Sequence, residues 1–170
     1  MKETTLCYIK KNNEYLFMLR NKKTNDPNGG KYIGVGGKLE KGETPLQCVI
    51  REIKEETNLK VISPTLRGEI YFYSDTYDDE KMYLFTADKY EGDVDYDCNE
   101  GTLKWISKED IMGLNLWEGD RVFLKELLES EDYINLSLWY EGDKLVRLER
   151  KQVSKKAARR DNPMLEEERL

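Results

Sequence analysis

Residues 36–59, GGKLEKGETPLQCVIREIKEETNL, join a glycine-rich loop to a segment loaded with glutamate. Thr44-Pro45-Leu46-Gln47 predicts a helix start. Thr44 is placed to act as N-cap, Pro45 suits the first helical position, and Gln47 completes a capping box. Leu46, Val49, Ile50 and Ile53 recur at i, i+3, i+4 and i+7, one apolar stripe for a core. Glu52, Glu55 and Glu56 follow i, i+3, i+4 and project from one side of the helix, beside that stripe. Three carboxylates so close repel one another. A hard divalent cation such as Mg²⁺, or Mn²⁺, would turn the repulsion into coordination, since oxygen ligands suit both. Taken alone, the glutamates read equally well as a solvated helix face. The glycine loop directly before them favours the metal.

Gly37, Glu43, Arg51, Glu52, Glu55 and Glu56 stand as G-x5-E-x7-R-E-U-x-E-E-x-N-U, with Ile53 and Leu59 at the apolar U positions. The pattern closely resembles the box of the Nudix hydrolases, which ends in G-U where this chain has Asn58-Leu59. The position follows the helix end, where a left-handed residue is wanted, and asparagine serves there after glycine. The resemblance implies the Nudix fold, an α/β/α sandwich around a mixed sheet with the box as a loop-helix-loop at its edge. It also implies cleavage of a nucleoside diphosphate linked to another group, with Mg²⁺ or Mn²⁺ as cofactor. The implied metal ligands are Gly36 through its carbonyl, Glu52, Glu55, Glu56 and, in a later acidic loop, Glu100. The implied catalytic set is Glu52, Glu56 and Arg51, with Glu52 ahead of Glu56 as the base. Arg51 is expected to pair with Glu43 and pin loop to helix.

Around the box, Thr4–Ile9 and Tyr15–Leu19 predict a β-hairpin, and Tyr32–Val35 a brief strand leading into the glycines. Residues 66–73 and 81–90 are aromatic-rich strands, their tyrosines read as sheet and core residues. Leu103–Ile106 is a further strand, with Ser107 placed to cap a short helix over 108–112. Glu118–Leu128 predicts a helix that buries Val122, Phe123, Leu127 and Leu128. Tyr133–Tyr140 and Lys144–Leu148 predict a closing hairpin. Residues 151–170 mix basic and acidic blocks with few apolar residues, which predicts a charged tail beyond a domain spanning 1–150. Short strands with two substantial helices fit a mixed sheet packed between helices.

The chain has 170 residues, a net charge of −6 and no histidine. Its acidity argues against a nucleic acid polymer or a membrane surface as partner. Without histidine, Ser-His-Asp, Cys-His and histidine-metal chemistry are excluded. Cys7, Cys48 and Cys98 form no C-x-x-C pair and read as free thiols of a reducing cytoplasm. The first residues, MKETTLCYIKKNNE, carry no apolar leader, and no stretch approaches a membrane span. No feature speaks to an oligomer.

The resemblance narrows further to the MutT- and MutX-type sanitisation enzymes over about residues 4–149. They are carried by Gly30–Glu40, by Cys98–Trp105 and by Leu116-Trp117-Glu118-Gly119-Asp120. It implies a nucleoside triphosphate substrate, 8-oxo-dGTP or a related oxidised purine, released as monophosphate and pyrophosphate. A relative in that group reads its base with a tryptophan and two adjacent aspartates. Trp117 and Asp120 match, whereas Gly119 replaces the first aspartate and Ile33 stands where that relative has asparagine. Trp117, Asp120, Ile33 and Lys38 are therefore the expected substrate-binding residues. Trp117 as a core plug and Asp120 as a helix cap remain the alternative. Ser74 and Asp75 stand where an ADP-ribose hydrolase would carry proline. Tyr77 keeps a dinucleoside polyphosphate in view. A nucleotide-sensing module without catalysis is disfavoured, because every box glutamate is present.

Overall fold

The computed structural model describes residues 1–151, so the expected tail lies, but for Lys151, outside the described residues. Strands β1 (Lys2–Lys11) and β2 (Glu14–Leu19) form the expected hairpin, but pair with each other only beside the turn, Lys10 opposite Tyr15 and Lys11 opposite Glu14. Beyond that point they splay. The next strand, β3 (Tyr32–Ile33), pairs with the far end of β2, and the chain then runs back along β1 before helix α1 (Pro45–Thr57). Strands β4 (Lys60–Val61), β5 (Thr65–Ser74), β6 (Glu80–Ala87), β7 (Tyr90–Glu91) and β8 (Thr102–Ser107) follow. Helix α2 (Glu118–Glu129) and the hairpin of β9 (Ile134–Glu141) and β10 (Lys144–Arg150) complete the fold.

The main sheet is mixed, ordered β10-β9-β5-β6-β1-β2-β3 with β8 on the other side of β2; β4 and β7 form a separate pair. Strand β1 runs parallel to β6, and β5 parallel to β9. Alternation along the strands sends side chains to two cores. Cys7 and Ile9 of β1 pack with Val49 and Ile53 of α1 on one face. Tyr8 packs on the other, with Phe123, Leu124 and Leu127 of α2. Helices on both faces of a mixed sheet make the α/β/α sandwich.

Helix α1 begins as its sequence requires: Thr44 Oγ1 accepts from Gln47 N at 3.1 Å, and Gln47 Oε1 accepts from Thr44 N at 2.9 Å. It ends at Asn58, whose φ of 69° is left-handed. Two local expectations need correcting. Ser107 precedes a 3₁₀ helix (Lys108–Gly113) and makes no side-chain cap, and the Lys108 N–H at its start donates to the carbonyl of Asn13 at 2.9 Å. Helix α2 buries Asp120, Phe123, Leu124 and Leu127 and leaves Val122 and Leu128 at the margin. Those four follow i, i+3, i+4, i+7, so Asp120 occupies the first place of an otherwise apolar stripe. Among the described residues no helix is long and apolar enough to cross a membrane.

Candidate active site

Where β2 leaves β1, residues 35–39 take its place. Cys7 N donates to Val35 O at 2.7 Å, Thr5 N to Gly37 O at 2.9 Å, and Leu39 N to Glu3 O at 3.1 Å. The loop is thus stitched to the sheet by its backbone. Gly36 lies so close that a Cβ there would fall on the Thr5 backbone. Gly37 covers the Glu52 carboxylate, and a Cβ on it would stand 2.5 Å from Glu52 Oε1. Both glycines are close-approach residues.

Arg51 ties the loop to the helix. Its Nε donates to Glu43 Oε2 at 2.7 Å and Nη2 to Glu43 Oε1 at 2.9 Å, while Nη2 also reaches the Lys38 carbonyl at 3.2 Å. Nη1 donates to Glu52 Oε1 at 2.9 Å and to Glu55 Oε2 at 3.3 Å. The guanidinium pulls the Glu43 carboxyl down to about 2. Burial raises the Glu52 carboxyl, against the pull of Arg51. Glu55 is largely exposed, and its carboxylate turns toward Arg51.

Glu56 is in a different situation. Its Oε2 is sealed from solvent and has no hydrogen-bond partner. Burial, then the like charges of Glu100 and Glu52, push its carboxyl up to about 9. Glu100 is itself approached by Arg20 and Lys23, each at 3.3 Å. A buried carboxylate with one oxygen left without a partner, beside two like charges, calls for a proton or a cation. No three acidic or thiol side chains among the described residues close into a cage. The buried Glu56 carboxylate beside Glu100 is an oxygen donor set of the kind a hard divalent cation takes, with water and substrate phosphates completing its shell.

Glu56, Glu100, Gly36 and Gly37 line a cavity of about 340 Å³, together with Thr4, Thr5 and Leu6 of β1 and Met18 of β2. Ile33, Trp117 and Asp120 line it too, so three of the four expected substrate residues share it with Glu56 and Glu100. Lys38 does not: its side chain is exposed outside the lining, and its backbone serves Arg51. Arg51, Glu52 and Glu55 also stay outside the lining, behind the loop.

Trp117 is half-buried, packed against the α2 core while it lines the cavity. Its indole N–H donates to Asn28 Oδ1 at 2.8 Å, and the Lys31 ammonium lies 4.8 Å from its ring centroid. Asp120 lies within the first turn of α2 instead of capping it, and burial, then Glu80, raises its carboxyl to about 7.

Sequence reading missed Tyr140 and Arg20, which also line the cavity. For Tyr140 a signal existed: Ile134, Leu136, Leu138 and Tyr140 alternate along β9 and all face the α2 core. The same geometry explains Gly119, since a Cβ there would stand 2.5 Å from Tyr140 Oη.

The model of the Nudix domain matches residues 2–127, most of the chain. This chain is a Nudix hydrolase. Members of the family act on pyrophosphate bonds. The Nudix hydrolase YvcI of Bacillus subtilis is 28% identical over 144 residues, covering 82% of this chain and 87% of its own length. The oxidized purine nucleoside triphosphate hydrolase of Danio rerio is 29% identical over 106 residues, 62% of this chain and 67% of that protein. Among solved structures, the mutator MutT protein of Bacillus halodurans superposes with a TM-score of 0.80 at 24% identity, over 91% of this chain and all of its own. That likeness extends the Nudix fold past the matched domain into the final hairpin.

Proposed function

We propose that this Nudix hydrolase is a Mg²⁺-dependent nucleoside triphosphate pyrophosphohydrolase that acts on 8-oxo-dGTP or a related oxidised purine, releasing the monophosphate and pyrophosphate. The observation that carries the reading is one cavity lined by two chemically different groups of residues, Glu56, Glu100 and Gly36 on the one hand and Trp117, Asp120 and Ile33 on the other. The likeness to oxidized purine nucleoside triphosphate hydrolases supports it.

Glu56, Glu100 and the carbonyl of Gly36 would hold the cation, which when bound offsets phosphate charge and polarises the phosphoryl group. Mn²⁺ would serve in its place. Glu52, kept under Gly37 and oriented by Arg51, would take the proton of the attacking water. Arg51 keeps that geometry through Glu43 rather than by touching substrate. Trp117 would stack on the purine while Asp120 meets its polar edge. Such a role is nucleotide-pool sanitisation, a form of DNA repair by prevention. Three buried free thiols suit a reducing cytoplasm. Residues 1–150 form the catalytic domain in this reading, with 151–170 an appended charged tail.

A second reading, dinucleoside polyphosphate hydrolysis, draws on Tyr77, which is 42% exposed at the cavity rim and free to meet a second base. A panel of kcat/KM values with Mg²⁺ for 8-oxo-dGTP, dGTP, ADP-ribose and diadenosine tetraphosphate separates them. Preference for 8-oxo-dGTP is expected; a wide margin for the dinucleotide would transfer the assignment to the second reading.

A further inference from the structure

Tyr140 is the last inward residue of β9, and its ring ends at the first turn of α2. Gly119 N donates to Tyr140 Oη at 2.7 Å. Only glycine permits this approach, since a Cβ at 119 would also meet Leu138 Cδ1 at 2.7 Å. The ring is fixed on two sides. Trp117 stands edge-on to it, with centroids 5.6 Å apart and planes at 88°, and Phe72 lies 6.4 Å away.

A phenol has one hydrogen to give and two lone pairs to receive. The Gly119 N–H occupies one lone pair. No described residue accepts the hydroxyl hydrogen, and Asp120, although in the same cavity, makes no hydrogen bond with it. The cavity lining therefore holds a rigid donor, Tyr140 Oη–H, near a carboxyl acceptor, Asp120.

We infer that Tyr140 is a specificity-determining residue whose hydroxyl donates to the 6-carbonyl of a guanine-type base while Asp120 receives its ring N–H. This rests on the nucleoside triphosphate reading above. Guanine offers an acceptor at position 6 where adenine offers an amino donor, so the pair favours 6-oxopurines. Oxidation at C8 changes the opposite edge of the ring, which Tyr140 does not read.

The test compares kcat/KM for dGTP, 8-oxo-dGTP and dATP in the full chain and in Tyr140→Phe. Loss of one neutral hydrogen bond should lower the dGTP-to-dATP ratio about tenfold. The 8-oxo-dGTP-to-dGTP ratio should not move. Gly119→Ala, which crowds the hydroxyl, should lower the first ratio in the same direction. An unchanged dGTP-to-dATP ratio, or an equal fall for all three substrates as expected of a helix cap alone, overturns the inference. If the unaltered protein hydrolyses diadenosine tetraphosphate but no nucleoside triphosphate, the nucleotide reading itself fails and takes the inference with it.

Discussion

Arg51 grips Glu43 with two parallel bonds, Nε to Oε2 at 2.7 Å and Nη2 to Oε1 at 2.9 Å, and so clamps the glycine loop onto α1 across eight residues of sequence. Lysine cannot reproduce a planar fork. Arg51→Lys should lower stability by about 1.5–3 kcal/mol. Urea unfolding at pH 7 reads the loss, and turnover should fall with it as Glu52 loses its orientation.

The same pair sets an acid limit. The Glu43 carboxyl sits at about 2 in the fold against 4.5 for the free group. A depressed carboxyl gives stability that is complete above the free value and lost as pH falls toward the folded one. The unfolding midpoint should therefore drop between pH 4.5 and 2, and Glu43→Gln should flatten that stretch of the profile. A wild-type slope retained in the variant would put the acid sensitivity elsewhere.

The two loop glycines should fail differently. At Gly36 an added methyl meets the Thr5 backbone, which cannot step aside, so Gly36→Ala should cost about 2 kcal/mol or more. At Gly37 it meets the far end of the Glu52 side chain, which can move. Gly37→Ala should hold its melting temperature and lose kcat about a hundredfold. Paired melting and turnover measurements distinguish them.

Glu52 and Glu56 are expected to separate in the same way. At pH 8 without divalent cations the folded Glu56 holds a proton that the unfolded chain gives up, so Glu56→Gln, which needs no proton, should raise stability there by about 1–3 kcal/mol. It should also abolish the rise in melting temperature that Mg²⁺ gives the unaltered protein. Glu52→Gln should keep that rise and lose turnover. A Mg²⁺ shift undiminished in Glu56→Gln would remove Glu56 from the metal site.

Asp120 carries a raised carboxyl, about 7 against 3.8. A raised group gives stability that is complete below the free value and lost as pH climbs through the folded one. Asp120→Asn should thus be more stable than the unaltered protein at pH 8 and lose that advantage at pH 4. Chemical denaturation at the two values checks it.

Much of this architecture was legible because local rules and the global fold agree. Thr44, Pro45, Gln47 and Asn58 spell both ends of α1, and the structure places each in its predicted role. Alternation and turn residues marked the strands. Their order was not legible, since the parallel pairing of β1 with β6 joins residues about 78 apart, as Lys2 with Glu80. At the site, Glu56 and Glu52 look alike in sequence. They part only when one meets Arg51 and the other is sealed beside Glu100. The burial of Asp120 was concealed by its charge, and Gly119 made sense only once Tyr140 had arrived from another strand.

The last hairpin also settles what the sheet shows to its neighbours. Strand β5 carries Tyr71-Phe72-Tyr73, and without β9 beside it that aromatic run would be an open edge inviting a second chain to pair. The hairpin replaces it with β10, an outward strand bearing Lys144, Arg147, Glu149 and Arg150. Charge on an edge discourages sheet-to-sheet growth. A chain ending at residue 130 would keep the whole glutamate helix and still be expected to precipitate, because the hairpin that supplies Tyr140 is also its protection against fibrous self-association.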